Sequence, residues 1–354
     1  MRVGLIAPPW VAVPPPGYGG TEAVVDNLAR GLVELGHRVE LFTIGESTCP
    51  VERRFLFDEA VEPMGQTVPE AAHVLAAYES LSDVDVIHDH TVLGPLLAGR
   101  TGVARAPVVT TNHGPFTEVT RRIFAEVART ATVVAISHDQ ARRAHLPVAA
   151  VIHHGIDLTS YHWGPGGGGY LAFVGRMSPE KGVDTAVTAA RAAGRPLRIA
   201  TKVREPEEAQ YFEEVVRPLL TADVELELEV PVEERVELLR HADALLNPIA
   251  WDEPFGLVMA ESLACGTPVL ATPRGAAPEI VRPGRTGFLC RDTECLVAAV
   301  GSVGSLSRQA CRADMEERFS IERMARDHVA LYEQVLAGGA GRPREGTGRA
   351  VRAG

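Results

Sequence analysis

Aromatic side chains are scarce in this chain, at 5% of its 354 residues. That scarcity argues against a protein that stacks successive bases or grips a long glycan along its surface. Positive charge is also short: 35 basic residues stand against 46 acidic ones, for a net charge of −11. Such a chain has no general attraction for nucleic acid or for anionic membranes. If it binds a phosphate-bearing ligand, a few placed cations and backbone N–H groups must do so locally. The five cysteines (Cys49, Cys265, Cys290, Cys295 and Cys311) form no zinc-binding spacing, and read as free thiols in a reducing cytosol. No apolar run approaches the ~20 residues that a membrane helix needs. Met1–Ala7 leads straight into a strand-like segment rather than a signal peptide. The expectation is a cytoplasmic protein with no stable membrane insertion.

What is present is α/β patterning, twice over. Val3–Ala7, Val39–Ile44, Val84–His88, Val108–Thr111, Val133–Ile136 and Val148–Ile152 read as short buried strands. Between the first two, Val24, Val25, Leu28, Leu32 and Leu35 recur at helical spacing and stop at Gly36. Residues 158–169, ending in four consecutive glycines, break the pattern and read as a flexible linker. The alternation then restarts with Tyr170–Val174, Leu197–Ala200, Val224–Val230, Ala244–Asn247 and Pro268–Ala271. Strands alternating with helices imply parallel sheets covered on both faces. The expected organisation is a domain over 1–157, the linker over 158–169 and a second domain over 170–320. An amphipathic helix over 321–337 is placed to pack back on the first domain, and a Gly/Arg-rich disordered tail covers 338–354.

Two segments carry the chemistry. In Trp251–Gly266, Pro254 holds Glu253 out of helical geometry and Gly266 is a natural helix stop. Glu253 is therefore expected on a loop at a helix start, with Glu261 about two turns inside. Glu261 is the one charge between Leu257 and Cys265, with no Lys or Arg within four positions to pair with it. A carboxylate on so apolar a helix is costly unless it is hydrogen-bonded. Ribose hydroxyls would meet that need; a solvent-facing position is the alternative. In Phe173–Gly182 a strand ends and a helix follows, with Arg176 and Lys181 at its mouth. A helix N-terminus favours an anion through its free N–H groups and dipole. Arg176 adds a donor fork and Lys181 a point charge, although two ordinary surface cations would look the same.

These segments, with others in the same order, resemble glycosyltransferase family 4, whose members have the two-domain GT-B fold. The Glu-x7-Glu signature reads Glu253-Pro254-Phe255-Gly256 to Glu261, and the diphosphate loop reads Gly175-Arg176 to Glu180-Lys181-Gly182. Cys265–Val269, Pro278–Phe288, Gly19-Gly20-Thr21-Glu22, Gly36–Val39, His88-Asp89-His90, Asn112-His113-Gly114 and His154–Asp157 also fit, so the resemblance covers about residues 2–336. It implies two Rossmann-like α/β domains facing across an interdomain cleft, with the acceptor on the N-terminal side and the donor on the C-terminal side.

The activity implied is a retaining transfer of sugar from a nucleoside-diphosphate sugar, with no cofactor and no metal. On these positions Glu261 would hold the donor ribose, and Arg176 and Lys181 the diphosphate. Backbone N–H groups at Phe255, Gly256 and Leu257 would meet phosphate or sugar hydroxyls. Glu253 and His113 would contact the transferred sugar as the catalytic pair. The Gly19-Gly20 loop would approach the phosphates where a side chain would clash. Three departures stand out: His154-Gly155 replaces the usual Asn-Gly, Thr201-Lys202 follow a strand usually closed by glycine, and Leu228 or Glu229 replaces another glycine. The last two border the nucleotide base, so the base is left open.

Other signals weigh less. Asp83-Val84-Asp85 precedes a strand, the wrong end of a sheet for a ligand. His88-Asp89-His90 is at a strand's carboxyl end, where acceptor contact, hydrogen bonding or a metal would each fit. Gly17-Tyr18-Gly19-Gly20 is half a dinucleotide fingerprint, in a loop made too long by Pro14–Pro16. A nicotinamide-dependent dehydrogenase would account for the paired α/β units but not for Glu253, Glu261 and Lys181. A GT-B epimerase or a non-catalytic nucleotide-sugar-binding protein are the nearer alternatives. The acceptor is expected to be a soluble small molecule or oligosaccharide, since no basic amphipathic face marks a membrane acceptor. Homodimerisation is left open.

Overall fold

The computed structural model describes residues 1–17 and 19–339. In the first half the elements are β1 (Arg2–Ile6), α1 (Gly20–Glu34), β2 (Arg38–Thr43), β3 (Glu52–Phe55), α2 (Thr67–Ser80), β4 (Val86–Asp89), α3 (Gly94–Thr101), β5 (Val108–Thr111), α4 (Glu118–Val127), β6 (Thr132–Ala135), α5 (His138–Ala144) and β7 (Ala150–Val151). All seven strands pair in parallel, in the order β3-β2-β1-β4-β5-β6-β7. Val3 is in register with Val39 on one side and Val86 on the other, and all three are buried. Strands covered on both faces read as continuous apolar runs, so most of them show in the sequence. The edge strand β3 does not: Glu52-Arg53-Arg54-Phe55 has one neighbour and a mostly exposed surface.

The second half repeats the plan. It contains β8 (Leu171–Arg176), α6 (Val183–Ala192), β9 (Leu197–Lys202), α7 (Pro206–Tyr211), β10 (Val224–Leu228), α8 (Val232–His241), β11 (Ala244–Asn247), α9 (Leu257–Ala264), β12 (Val269–Ala271), α10 (Ala277–Ile280), β13 (Gly287–Leu289), α11 (Thr293–Ser302) and α12 (Arg308–Arg318). Its six parallel strands run β10-β9-β8-β11-β12-β13. Each sheet reverses its order beside its first strand, between β1 and β4 and between β8 and β11. Crevices beyond the carboxyl ends of strands at such reversals are where open α/β sheets bind ligands.

The chain crosses back after α12. Ile156 N donates to Phe319 O at 2.8 Å, and the last helix, α13 (Ile321–Gly339), lies on α1. Met324, Leu331 and Tyr332 of α13 share a core with Val24, Leu28 and Leu32 of α1. Gly31 permits the approach: a Cβ there would be 2.7 Å from Ile321 Cγ2 and 2.9 Å from Ala325 Cβ. The helix continues through Gly339, two residues into the expected tail; residues 340–354 lie outside the described residues. No helix among the described residues is long and apolar enough to cross a membrane.

The glycine-rich linker differs from the flexible tether expected of it. Gly164 N donates to Cys265 O, Gly166 N to Arg240 O and Gly168 N to His241 O. Arg308 donates to Gly164 O, Ala242 O and Arg240 O, each at 2.8 Å, and to Thr267 Oγ1 at 2.6 Å. Arg312 donates to Tyr161 O and Leu158 O. A Cβ at Gly164 would be 2.4 Å from Arg240 O. The glycines here serve close backbone approach rather than slack.

Candidate active site

A cavity of about 590 Å³ opens between the two halves, at the carboxyl ends of both sheets. All but one of the expected site residues line it: Gly19, Gly20 and His113 from the first half, and Lys181, Glu253, Phe255, Gly256, Leu257 and Glu261 from the second. Arg176 is the exception. Its guanidinium is bonded to Glu180 at 2.9 Å and lies 3.7 Å from Glu208, and it is not part of the lining. Glu208 belongs to the capping box of α7, a partner that local spacing around Arg176 does not reveal.

Two helix starts converge here. Gly19 precedes α1 and Gly256 precedes α9, and among the described residues no side chain caps either helix. Gly256 takes φ +88°, a left-handed conformation that a side chain would strain, and a Cβ there would be 2.5 Å from Met259 Cε. A Cβ on Gly20 would come within 3.3 Å of Leu257 Cδ1, so the two helix mouths nearly touch across the cleft. The Glu22 carboxyl, lying against Gly19, takes its own N–H in the first turn of α1; the other first-turn N–H groups and the helix dipoles aim at one space from both sides.

Lys181 and Glu253 form an ion pair at this space, with both side chains mostly buried. Trp251 Nε1 donates to the same Glu253 oxygen at 3.1 Å, and Lys181 Nζ lies 5.2 Å from the Trp251 ring centre. The backbone of Glu253 is clamped by Ala276 N, which donates to Glu253 O at 2.9 Å. At Gly275 a Cβ would be 2.2 Å from that same carbonyl oxygen.

Glu261 has no basic neighbour on its own helix, as its sequence context indicates. It faces the cavity, where the Tyr161 hydroxyl donates to it and Arg235 of α8 lies nearby. Burial pushes its carboxyl above the ordinary range; Arg235 and the Tyr161 hydrogen bond pull it back. Sequence reasoning missed both partners, because they come from the linker and from another helix. A smaller cavity of about 280 Å³ shares Gly17, Val174, Gly175 and Arg235 with the main one. Glu229 lines it at φ +53°, so Glu229, rather than Leu228, takes the left-handed conformation that glycine would hold easily. Its carboxylate pairs with Arg204 at 2.6 Å.

Histidines form the opposite wall. His113 Nε2 is 2.9 Å from His90 Nδ1, and the His113 ring stacks on His154 with centres 5.2 Å apart. His154 also lines the cavity and meets Phe255 edge to face. Behind them His88 bonds Tyr332 Oη at 2.7 Å and Thr111 Oγ1 at 2.8 Å, with His328 of α13 alongside. Burial pushes all five down, helped by neighbouring histidines at His88, His90, His113 and His154 and by Arg323 at His328; His113 falls to about 3 and His328 to about 4, so the cluster is neutral. Asp89, between His88 and His90, is occupied by Tyr78 Oη, Thr91 N and Thr91 Oγ1. Among the described residues no group of three or more His, Cys, Asp or Glu side chains is arranged to hold a metal. Asp85 accepts from Arg2 N at 2.7 Å, at the end of the sheet away from the cavity.

Known proteins resemble both halves of the chain. The family model for Glycosyltransferase Family 4 matches residues 18–160, and that for glycosyl transferases group 1 matches residues 164–318. The chain is 31% identical to a D-inositol 3-phosphate glycosyltransferase of Nocardia farcinica, over 83% of this chain and 80% of that one. It is 32% identical to the alpha-maltose-1-phosphate synthase of Mycolicibacterium smegmatis over 47% of this chain, a match spanning about half (48%) of that relative's length. A D-inositol 3-phosphate glycosyltransferase of Rhodococcus erythropolis is likewise matched over 54% of its length. Among solved structures, AviGT4, a glycosyltransferase involved in avilamycin A biosynthesis, superposes with a TM-score of 0.74 at 27% identity, covering 96% of this chain and 98% of that one. Sucrose-phosphate synthase from Thermosynechococcus elongatus shares the fold, with a TM-score of 0.79 at 20% identity over 96% and 100% of the two chains. With both halves matched in order and the cleft residues in place between them, the chain belongs to glycosyltransferase family 4 and has its GT-B fold.

Proposed function

We propose that the chain is a metal-independent, retaining transferase that moves a sugar from a nucleoside-diphosphate sugar to a soluble small molecule or oligosaccharide. The observation that carries this reading is the convergence of two uncapped helix starts and Lys181 on one space, with Glu261 deeper in the same cavity. Free N–H groups and an ammonium are what a diphosphate needs, and a carboxylate is what ribose hydroxyls need. The cavity volume falls in the usual range for small-molecule sites. Glu253 and His113 flank the space left for the sugar. With the leaving diphosphate neutralised by Lys181 and backbone N–H groups, the protein supplies position and electrostatic stabilisation. The departing phosphate oxygen would take the acceptor's proton on the same face. The similarity to AviGT4 supports an acceptor from secondary metabolism.

A thermal-shift panel of UDP, GDP, ADP, TDP and NAD tests the donor class, with one diphosphate expected to raise the melting temperature and NAD not. A shift with NAD alone overturns the reading. A donor-by-acceptor screen, read by product mass and by the anomeric coupling in NMR, tests transfer and retention. The same screen run with EDTA tests metal independence. Turnover of donor without an acceptor, yielding an epimerised sugar, would replace transfer by epimerisation.

A further inference from the structure

We infer that His90 is a positioning residue, which fixes His113 as the tautomer carrying its proton on Nδ1 and so turns an N–H donor toward the sugar space. The inference rests on the function proposed above. His113 lines the cavity, and its Nε2 is engaged by His90 Nδ1 at 2.9 Å. Nδ1 is therefore the nitrogen left for a ligand.

One proton lies between these two nitrogens, and each neutral ring carries one proton in all. If His113 donated, His90 would have to carry its own proton on Nε2. That atom is buried and, among the described residues, has no hydrogen-bond partner. An orphaned buried N–H is rarer than an orphaned acceptor. With His90 donating instead, its Nε2 is a bare acceptor and His113 is protonated on Nδ1. Both rings stay neutral, because burial, with His328 as a charge neighbour of both, opposes a charge there.

The ring is also held in place. His154 stacks on it at an interplanar angle of 19°, and Phe255 meets the far side of His154 with centres 4.9 Å apart. His90 itself is tied down against His88, their ring centres 4.1 Å apart. A fixed N–H donor orders the hydroxyl it meets: the sugar oxygen accepts from His113, and its own proton is left for a carboxylate such as Glu253. That selects one orientation of the transferred sugar.

The test uses the full chain. In nitrogen-detected NMR of wild type, with His113 assigned by comparison with His113→Gln, the ring is expected as the Nδ1–H tautomer. In His90→Phe it is expected to relax toward the Nε2–H form. Turnover in His90→Phe should fall about 10-fold, while the Kd for the preferred nucleoside diphosphate, which lacks the sugar, changes less than about 2-fold. His90→Asn, whose amide puts a donor near the position of Nδ1, should restore most of the turnover. An Nε2–H tautomer in wild type, turnover in His90→Phe equal to wild type, or no rescue by His90→Asn each overturns the inference. The wild-type tautomer is readable even if a variant fails to fold. Absence of turnover with every nucleotide sugar would instead sink the functional reading and leave the tautomer result standing.

Discussion

Under the function proposed above, Glu253 and a bound diphosphate would compete for one ammonium. Lys181 is bonded to the Glu253 carboxylate, which also accepts from Trp251 Nε1. Replacing Glu253 with Gln keeps its shape and removes its charge. A phosphate taken up by Lys181 would be separated from that carboxylate by on the order of 6 Å, and two unit charges at that distance repel by about 1–3 kcal/mol at effective dielectrics between 20 and 80. Part of this is offset because an unpaired Lys181 is better hydrated in the free variant. The net expectation is about 1–2 kcal/mol, or roughly 5- to 30-fold tighter binding of the nucleoside diphosphate. Turnover moves the other way, falling about 100-fold as the grip on the transferred sugar is lost. Isothermal titration of the full chain with each nucleoside diphosphate at two salt concentrations measures the first effect, which should shrink as salt rises. Steady-state kinetics measures the second. Lys181→Met should weaken the diphosphate, and adding Glu253→Gln to it should bring no further tightening. A Glu253→Gln variant that binds the preferred diphosphate no better than wild type refutes the competition.

Glu261→Ala should weaken the nucleoside diphosphate by about 10-fold or more through lost hydrogen bonds to ribose, with turnover at saturating donor little changed; equal, small effects on both would remove Glu261 from the ribose. Arg308→Met strands several carbonyl acceptors along the linker and should cost about 3 kcal/mol in urea denaturation; a loss below about 1 kcal/mol would show that solvent satisfies them. On acidification, His73, His113 and His328, held down to about 4, 3 and 4, resist protonation in the folded chain but not in the unfolded one. Each stabilises fully above the unfolded pKa and loses about 2 kcal/mol between pH 7 and 5. Glu22, raised by burial to about 7, and Asp89, raised to about 6, take up protons on folding and return about 3 kcal/mol together. The histidines win, so the melting temperature should be lower at pH 5 than at pH 7, and a higher value there refutes the sign.

Legibility in the sequence followed the range of the interaction. Strands such as Val3–Ile6 and Leu171–Val174 are buried on both faces, and their own apolar runs announce them. The helix that carries Glu261 was readable because Pro254 and Gly266 punctuate it locally. The edge strand Glu52–Phe55 and the three-residue strand Gly287–Leu289 have neither an apolar run nor a period to betray them. At the site, the same division holds. Gly19, Gly256 and Lys181 fall where their loops put them, whereas the partners that decide what a charge does come from elsewhere. Arg176 is held by the local Glu180 with Glu208 beside it, and Glu261 is received by Tyr161 and Arg235. The histidine wall joins His90, His113, His154 and His328 from four places in the chain, and no local pattern connects them.

The glycines of the linker show how one residue type supports two opposite readings. Four in a row suggest slack, yet Gly166, Gly167 and Gly169 take φ of +68°, +77° and +77°, and Gly164 and Gly168 lie against the carbonyls of Arg240 and His241. Those values exclude proline, so stiffening this stretch with proline would break its conformation rather than brake a motion. Composition reports that a side chain is absent; only the neighbours report why. Since Arg308 and Arg312 strap the linker to the second half, any closure of the cleft would bend the chain elsewhere. The chain passes between the halves at Gly155–Asp157 and again at Phe319–Ile321, and these two passages are hydrogen-bonded side by side through Ile156 N and Phe319 O. Two adjacent crossings define an axis, and Glu279 ties the halves near it by accepting from His138 N and Asp139 N at 2.8 and 2.7 Å. Rotation about such an axis would give the largest displacement at the rim where Gly20 meets Leu257. Under the function proposed above, that rim is where the two helix starts would meet the diphosphate, so opening there for a donor would have to break the packing of Leu257 against the core of the first half.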